Sequence, residues 1–165
     1  MLTKKVQELS LEKFSKYGTY RNMINPDGVC IGDKPVEFFR DLIQYDTHAS
    51  GTVSFSICRV EKREPVVDVT EYHNYGAEGT MPIDGDILIH VGYATPSGEI
   101  DPDTFEIFRI PKGTFFVIRP GVWHHAPFVY NTDYVNTLIV LPERTYVNDC
   151  YVVNLNDDQK IKIEL

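Results

Sequence analysis

The fold is decided by the stretch Gly113-Thr-Phe-Phe-Val-Ile-Arg-Pro-Gly-Val-Trp-His124-His125-Ala-Pro127. Residues 114–118 are mostly β-branched or aromatic, which predicts a strand. Pro120-Gly121 predicts a tight turn, because proline fixes the backbone and glycine frees it. A second strand is expected to begin at Trp123 and to carry the paired histidines.

The rest of the chain repeats this pattern of short strands and turns. Residues 52–60 and 66–73 alternate apolar and polar side chains at the two-residue period of a half-buried strand. Further strands are predicted at residues 87–91, 105–110, 126–130, 134–141 and, at an edge, 150–155. Many short strands separated by Gly and Pro turns predict an all-β fold, an antiparallel barrel or sandwich, in one domain over residues 1–165.

Two segments depart from the strand pattern. Ser10 precedes a short run of mixed apolar and charged residues and suits the N-cap of one helical turn, which Gly18 would end. Residues 36–45 are compatible with either a short strand or a helical turn, and their sequence does not decide between the two.

Charge and cysteine content narrow the function classes. The chain has 16 Lys and Arg against 24 Asp and Glu, a net charge of −8, which disfavours nucleic acid and anionic membranes as partners. No apolar run approaches membrane-spanning length, and the first residues lack the apolar core of a signal peptide. The three cysteines have no zinc-like spacing and fit a reduced, cytoplasmic compartment, with Cys58 predicted to be a core thiol.

A metal site is indicated by two segments well separated in the chain. One carries Glu71, His73 and Glu78, and the other carries His124 and His125. Glu71 and His73 are two residues apart and therefore share a face of a strand, and a turn after them would fold Glu78 back beside them. In a regular strand only one of the adjacent histidines faces inward. Imidazole and carboxylate ligands suit zinc, nickel, manganese or iron and do not select among them.

The two segments resemble the two sequence motifs of the cupin superfamily. The first runs Glu71-x-His73, four residues, Glu78, six residues, Gly85, and the second runs Gly113, five residues, Arg119-Pro-Gly121, two residues, His124. Glu71 stands where the first cupin histidine belongs, and Arg119 stands where the first proline belongs. The resemblance implies a cupin-type β-barrel of the jelly-roll kind, and it selects His124 rather than His125 as the inward ligand. The implied metal ligands are His73, Glu78, His124 and Glu71.

A narrower resemblance, to the ureidoglycolate lyase family, covers nearly the whole chain. It is carried by residues 9–18, 40–42, 71–78, 81–85 and 122–125, of which the last, Val-Trp-His-His, is unchanged from the family pattern. Three departures stand out: Tyr72 replaces the family's Arg, Glu78 replaces its Gln, and Val117-Ile118-Arg119 replaces its Asn-Tyr-His. The resemblance therefore leaves open a related protein that acts on a different small acid.

The resemblance implies a metal-dependent lyase that splits ureidoglycolate into glyoxylate and urea during allantoin breakdown. The base would be Glu71 if it is not a ligand, and otherwise His125. Arg119 or Arg40 would bind the substrate carboxylate, with Tyr72 also at the substrate site. The alternatives are a cupin enzyme acting on another sugar acid or hydroxy acid, and a non-enzymatic cupin that binds a small ligand. A homodimer is expected, since a second copy commonly covers the exposed edges of a small barrel.

Overall fold

Strands dominate the computed structural model, which describes residues 1–44, 46–48, 50–96 and 98–165. The strands are β1 Leu2–Glu8, β2 Gly18–Asn22, β3 Cys30–Ile31, β4 Phe38–Phe39, β5 Val53–Glu61, β6 Val66–Val67, β7 Val69–Tyr72, β8 Glu78–Pro82, β9 Ile87–Val91, β10 Glu106–Ile110, β11 Thr114–Ile118, β12 Phe128–Val129, β13 Tyr134–Pro142, β14 Tyr151–Asn154 and β15 Ile161–Glu164. The helical segments are α1 Leu11–Phe14, α2 Thr145–Asn148 and a 3₁₀ turn at Pro102–Thr104. Within the described residues, no helix has the length and hydropathy needed to cross a membrane.

Two large sheets form the body of the protein. The six-stranded sheet has the order β12-β9-β10-β1-β15-β6, and the five-stranded sheet has the order β2-β11-β8-β13-β5. Two small sheets, β14-β7 and β3-β4, complete the fold. Strand β1 pairs in parallel with both β10 and β15, whereas the other pairings in the described residues are antiparallel. The predicted all-β fold is confirmed, with one mixed sheet in place of a purely antiparallel one.

The short N-terminal helix predicted from Ser10 is also present. The Ser10 hydroxyl accepts a hydrogen bond from the Lys13 backbone amide at 3.3 Å, which satisfies one of the free amides at a helix start. The helix ends at Phe14, whose ring is fully buried. In the undecided segment 36–45, β4 is a strand that pairs with β3, while Tyr45 lies outside the described residues.

The six-stranded sheet separates two apolar cores. On β9, Ile89 belongs to the first core with Phe116 and Ile118, while Leu88 belongs to the second core with Trp123. Successive side chains of a strand point to opposite faces, so one strand serves both cores. Three residues of the first core, Ile89, Phe116 and Ile118, also line the floor of the candidate site.

Candidate metal centre

Backbone hydrogen bonds hold the two ligand-bearing segments side by side. The Glu71 amide donates to the His124 carbonyl at 2.6 Å, and the His124 amide donates to the Glu71 carbonyl at 2.8 Å. The Gly121 amide donates to the His73 carbonyl at 2.6 Å. The turn that follows β11 is thereby fastened to the end of β7, and residues far apart in sequence share one site.

The segment after the Pro120-Gly121 turn is not the regular strand that its sequence predicts. Trp123 and His124 make only isolated bridges, to Gly92 and Glu71, and the next strand, β12, begins at Phe128. Because the backbone is irregular here, strict alternation of side chains does not apply. His124 and His125 both reach the same cavity, whereas alternation would have turned one of them away.

Four predicted ligands converge at this point. Glu78 Oε2 lies 3.4 Å from His73 Nε2 and 3.4 Å from His124 Nε2. The two histidines and Glu78 are buried, with 2%, 4% and 8% of their surface exposed. Glu71 is half-buried. One of its carboxylate oxygens and one ring nitrogen of each histidine all lie within 4.8 Å of one another. The same two histidines therefore face two carboxylates.

Both histidines are oriented by main-chain carbonyls. His73 Nδ1 lies 2.6 Å from the Asp149 carbonyl, and His124 Nδ1 lies 2.8 Å from the Val122 carbonyl. Because a carbonyl can only accept, each Nδ1 carries a proton, and Nε2 is therefore the nitrogen of each ring that faces the site and can bind a metal ion. His73 Nε2 is buried and makes no well-aligned hydrogen bond with the described residues. A buried nitrogen without a donor, next to a carboxylate, fits a divalent metal ion.

The charges of this cluster support one another. Burial acts to raise the pKa of Glu78, but the charge of His124, its hydrogen bond to Glu78 and the close approach of His73 outweigh burial and hold that pKa below its ordinary value. Burial acts to lower the pKa of His124, but attraction to Glu78 outweighs it and raises that pKa. Without metal, the site therefore favours an ion pair between Glu78 and His124, whose proton a metal ion would replace.

Replacing Glu78 by Gln is expected to remove a pH-dependent part of the unfolding free energy of the metal-free protein. The lowered pKa of Glu78 gives a contribution that is present above about pH 4.5 and is lost as the pH falls. The raised pKa of His124 gives a contribution that is present below pH 6.5 and is lost as the pH rises through the raised pKa. The free energy of unfolding of the wild type is thus expected to exceed that of Glu78→Gln most between pH 4.5 and 6.5, by about 3 kcal/mol.

The measurement is urea unfolding of both proteins in the presence of a chelator, at a series of pH values. Burial is the main cause that lowers the pKa of His90, a buried histidine outside the site, and the comparison removes this effect because it is the same in both proteins. A stability difference that stays constant across this range would contradict the ion pair.

The cluster opens onto a cavity of about 220 Å³. One wall is polar and is formed by Glu71, Glu78, His124 and His125; the floor is apolar and contains Ile89, Phe116, Ile118 and Ile139. The remaining lining residues are Cys58, Thr80, Ala126, Pro127 and Tyr146. Burial is the main cause that lowers the pKa of His125, so its imidazole is neutral at pH 7. The cavity thus combines a cluster of metal-ligating side chains with a neutral imidazole.

Three predicted substrate residues lie away from this cavity. Arg40 pairs with Asp41 at 2.7 Å, and Arg119 donates to the Ser15 carbonyl next to α1. Tyr72 packs against Trp123, with ring centroids 4.6 Å apart. Among the described residues that line the cavity, none is Lys or Arg. Their roles in substrate binding stay predictions that this placement does not support.

Several residues at the site were not singled out from the sequence. Thr80 donates to Glu78 Oε1 at 2.9 Å; its position two residues after Glu78, on the same strand face, is a signal that could have found it. Cys150 donates its thiol hydrogen to Glu71 Oε2 at 3.3 Å. Burial, which is the main cause, and the hydrogen bond to Glu71 raise the pKa of the Cys150 thiol to about 12. Cys58, predicted to be a core thiol, is half-buried and lines the cavity. No local pattern marks either thiol as part of the site.

Comparison with known families decides the assignment. A sequence profile described as ureidoglycolate lyase matches residues 1–164. The chain belongs to the ureidoglycolate lyase family. The resemblance drawn from the sequence motifs is thereby confirmed, although no curated protein sequence matches the chain.

Solved structures similar to this member of the ureidoglycolate lyase family align with part of the fold. Oxalate decarboxylase of Bacillus subtilis, in a structure concerned with its Mn(II) centres, is 14% identical with a TM-score of 0.44 over 63% of this chain and 24% of that one. Peruvianin-I, a cysteine peptidase from Thevetia peruviana latex, is 15% identical with a TM-score of 0.46 over 63% of this chain and 57% of that one. The chain thus spans about a quarter of the oxalate decarboxylase chain. At this level of similarity, the reaction must be argued from the site itself.

The unchanged family motif Val-Trp-His-His has a separate task for each residue. The Val122 carbonyl orients the ring of His124, and the Trp123 ring fills the second core. His124 faces Glu78, and His125 lines the cavity. The departure from the family's Gln to Glu78 places a second carboxylate between the two histidines. In this member of the ureidoglycolate lyase family, two carboxylates, Glu71 and Glu78, therefore face the same two histidines.

Proposed function

We propose that this protein cleaves ureidoglycolate to glyoxylate and urea in a metal-dependent lyase reaction. Membership of the ureidoglycolate lyase family supports the choice of substrate. The observation that carries the proposal is the contact of Glu78 Oε2 with both imidazoles at 3.4 Å, beside an open cavity. The place in allantoin breakdown, the cytoplasmic location and the homodimer belong to the same proposal.

The metal would be held by His73, His124, Glu78 and Glu71. We assign Glu71 as a ligand because its carboxylate approaches both histidines and occupies the position of a cupin ligand in the motif. When bound, a divalent ion supplies Lewis acidity that makes a nearby hydroxyl a stronger acid. The mixed nitrogen and oxygen donors suit zinc, nickel, manganese or iron.

With Glu71 engaged, His125 is the base in this mechanism. Its neutral imidazole accepts the proton of the substrate hydroxyl, and the oxygen's electron pair forms the carbonyl of glyoxylate. The bond from carbon to the ureido nitrogen breaks, and its electron pair goes to that nitrogen. The same nitrogen takes the proton back from His125 to complete urea, so atoms and charge balance and no further reactant is needed.

The shape of the cavity suggests how the substrate is oriented. The floor residues Ile89 and Ile139 give no hydrogen-bond partners, and burying an amide without partners is costly. The carboxylate and hydroxyl therefore face the polar wall. The ureido group then lies beside Cys58 and Tyr146, two other lining residues, whose thiol and hydroxyl can hydrogen-bond to it.

The test is a turnover assay on purified protein supplied with each of the four metals in turn. Glyoxylate and urea are expected in equal amounts, with loss of both after chelation and recovery when metal is restored. Failure of every metal-loaded form to release the two products, with the metal shown to be bound, would refute the proposed reaction.

A further inference from the structure

We infer that Asp149 and Cys150 form a positioning pair that holds the two β7-side ligands, His73 and Glu71, in place for metal binding. The inference rests on the metal site proposed above. It concerns residues outside the cavity floor and outside the ligand set. It assigns a task to the segment between α2 and β14, which otherwise serves only as a connection.

Asp149 fixes His73 and the turn that follows it. The Asp149 main-chain carbonyl accepts from His73 Nδ1 at 2.6 Å. Its carboxylate, in a residue only 6% exposed, accepts from the amides of Asn74 and Tyr75 at 2.8 and 2.6 Å. Three hydrogen bonds accepted by this one residue thus determine both the tautomer of His73 and the path of the backbone that follows it.

Cys150 holds the other ligand. Its Sγ lies 3.3 Å from Glu71 Oε2 and donates to it. The next residues of the chain fix this position, because β14 pairs with β7 in a register that sets Tyr151 opposite Tyr72 and Val152 opposite Glu71. A donor on Oε2 restricts the rotation of the carboxylate and leaves its other oxygen for a metal ion.

Asp149 and Cys150 are consecutive in the chain, and they therefore orient two proposed ligands, His73 and Glu71, that lie on the same side of β7. Partners of this kind set ligand orientation, and their loss typically lowers metal affinity by about 10- to 100-fold. Neither residue is expected to contact the substrate, so their effect should appear in metal binding before it appears in chemistry.

The test uses Cys150→Ala, Cys150→Ser and Val152→Ala, with Zn²⁺ affinity measured by competition with a chromophoric chelator. Cys150→Ala is expected to bind Zn²⁺ at least about 10-fold more weakly, and Cys150→Ser to recover most of the affinity because its hydroxyl also donates. Val152→Ala, an exposed neighbour on β14, is the matched control and should bind like the wild type. Equal affinity in Cys150→Ala and wild type, or no rescue by serine, would overturn the inference.

A spectrum separates positioning from ligation. The Co²⁺-loaded wild type should lack the intense near-ultraviolet band of a sulfur-to-cobalt bond, and Cys150→Ala should change the visible bands of the ion. A sulfur band that disappears in Cys150→Ser would make Cys150 a ligand and refute its positioning role. If the wild type binds neither ion, the proposed metal site itself fails, which is a different result.

Asp149→Asn tests the other half of the pair. The amide group has one accepting oxygen where the carboxylate has two, so one of the bonds to Asn74 and Tyr75 must be lost. Zn²⁺ affinity is expected to fall about 10-fold, and the visible spectrum of the Co²⁺ form should shift. An unchanged affinity and spectrum in a folded variant would confine Asp149 to a structural role.

Discussion

Replacing His124 by alanine is expected to remove both bound metal and turnover. His124 is 4% exposed, and its Nε2 lies 3.4 Å from Glu78, so its loss takes one nitrogen donor from the centre and leaves a buried carboxylate less compensated. Metal affinity should fall by more than about 100-fold, beyond the range typical of residues that only orient ligands. Metal content after dialysis and glyoxylate release measure the two effects.

The matched control is His48→Ala. His48 is an exposed histidine outside the cavity lining, so the same substitution there should leave metal content and turnover at wild-type values. Circular dichroism of His124→Ala checks that the fold survives. A folded His124→Ala protein that keeps full metal content would refute the four-ligand centre.

The convergence of these ligands was largely predictable from the sequence. Alternation places Glu71 and His73 on one face of a strand, and the cupin register selects His124 over its neighbour. Those inferences use only local periodicity and a fixed motif. The structure brings Glu71, His73 and His124 together, while the choice of His124 over His125 as a ligand stays a prediction. The adjacent His125 shows the limit: alternation assumed a regular strand, whereas this segment makes only isolated bridges, to Glu71 and Gly92.

Two features that the sequence did not predict, the parallel pairing of β1 and the contact of Cys150 with Glu71, depend on pairing between distant strands. Strands β1 and β15 lie at opposite ends of the chain and pair in parallel. Polar residues interrupt β1, as at Thr3 and Lys4, so its local pattern is weak and only its neighbours in the sheet make it a strand. Cys150 meets Glu71 for the same reason, since the register between β14 and β7 determines the contact.

The partner of the Arg119 guanidinium could not be predicted from the sequence. A cation near the second motif predicts a partner for the substrate carboxylate, but residue type does not say which acceptor the guanidinium meets. In the structure the Ser15 carbonyl takes that place. In the proposed mechanism, a metal ion would supply the positive charge that Arg119 was predicted to provide for the substrate carboxylate.

Replacing His125 by glutamine is expected to separate metal binding from chemistry. Glutamine keeps a similar size and hydrogen-bonding capacity but has no nitrogen that accepts a proton at pH 7. Because His125 lines the cavity and His124, Glu78 and His73 stay intact, metal content should match the wild type. Turnover should fall by about 10²- to 10⁴-fold, the usual contribution of a general base.

Measuring Glu71→Gln alongside His125→Gln decides whether Glu71 or His125 is the base. If Glu71 is a ligand, this variant loses metal affinity, and its turnover recovers in part at high metal concentration. If Glu71→Gln instead keeps its metal and loses turnover while His125→Gln stays active, then Glu71 is the base and the ligand set reduces to His73, His124 and Glu78. The two roles differ physically because a carboxylate bound to a metal is a poor proton acceptor, so the same oxygen pair cannot serve both at once.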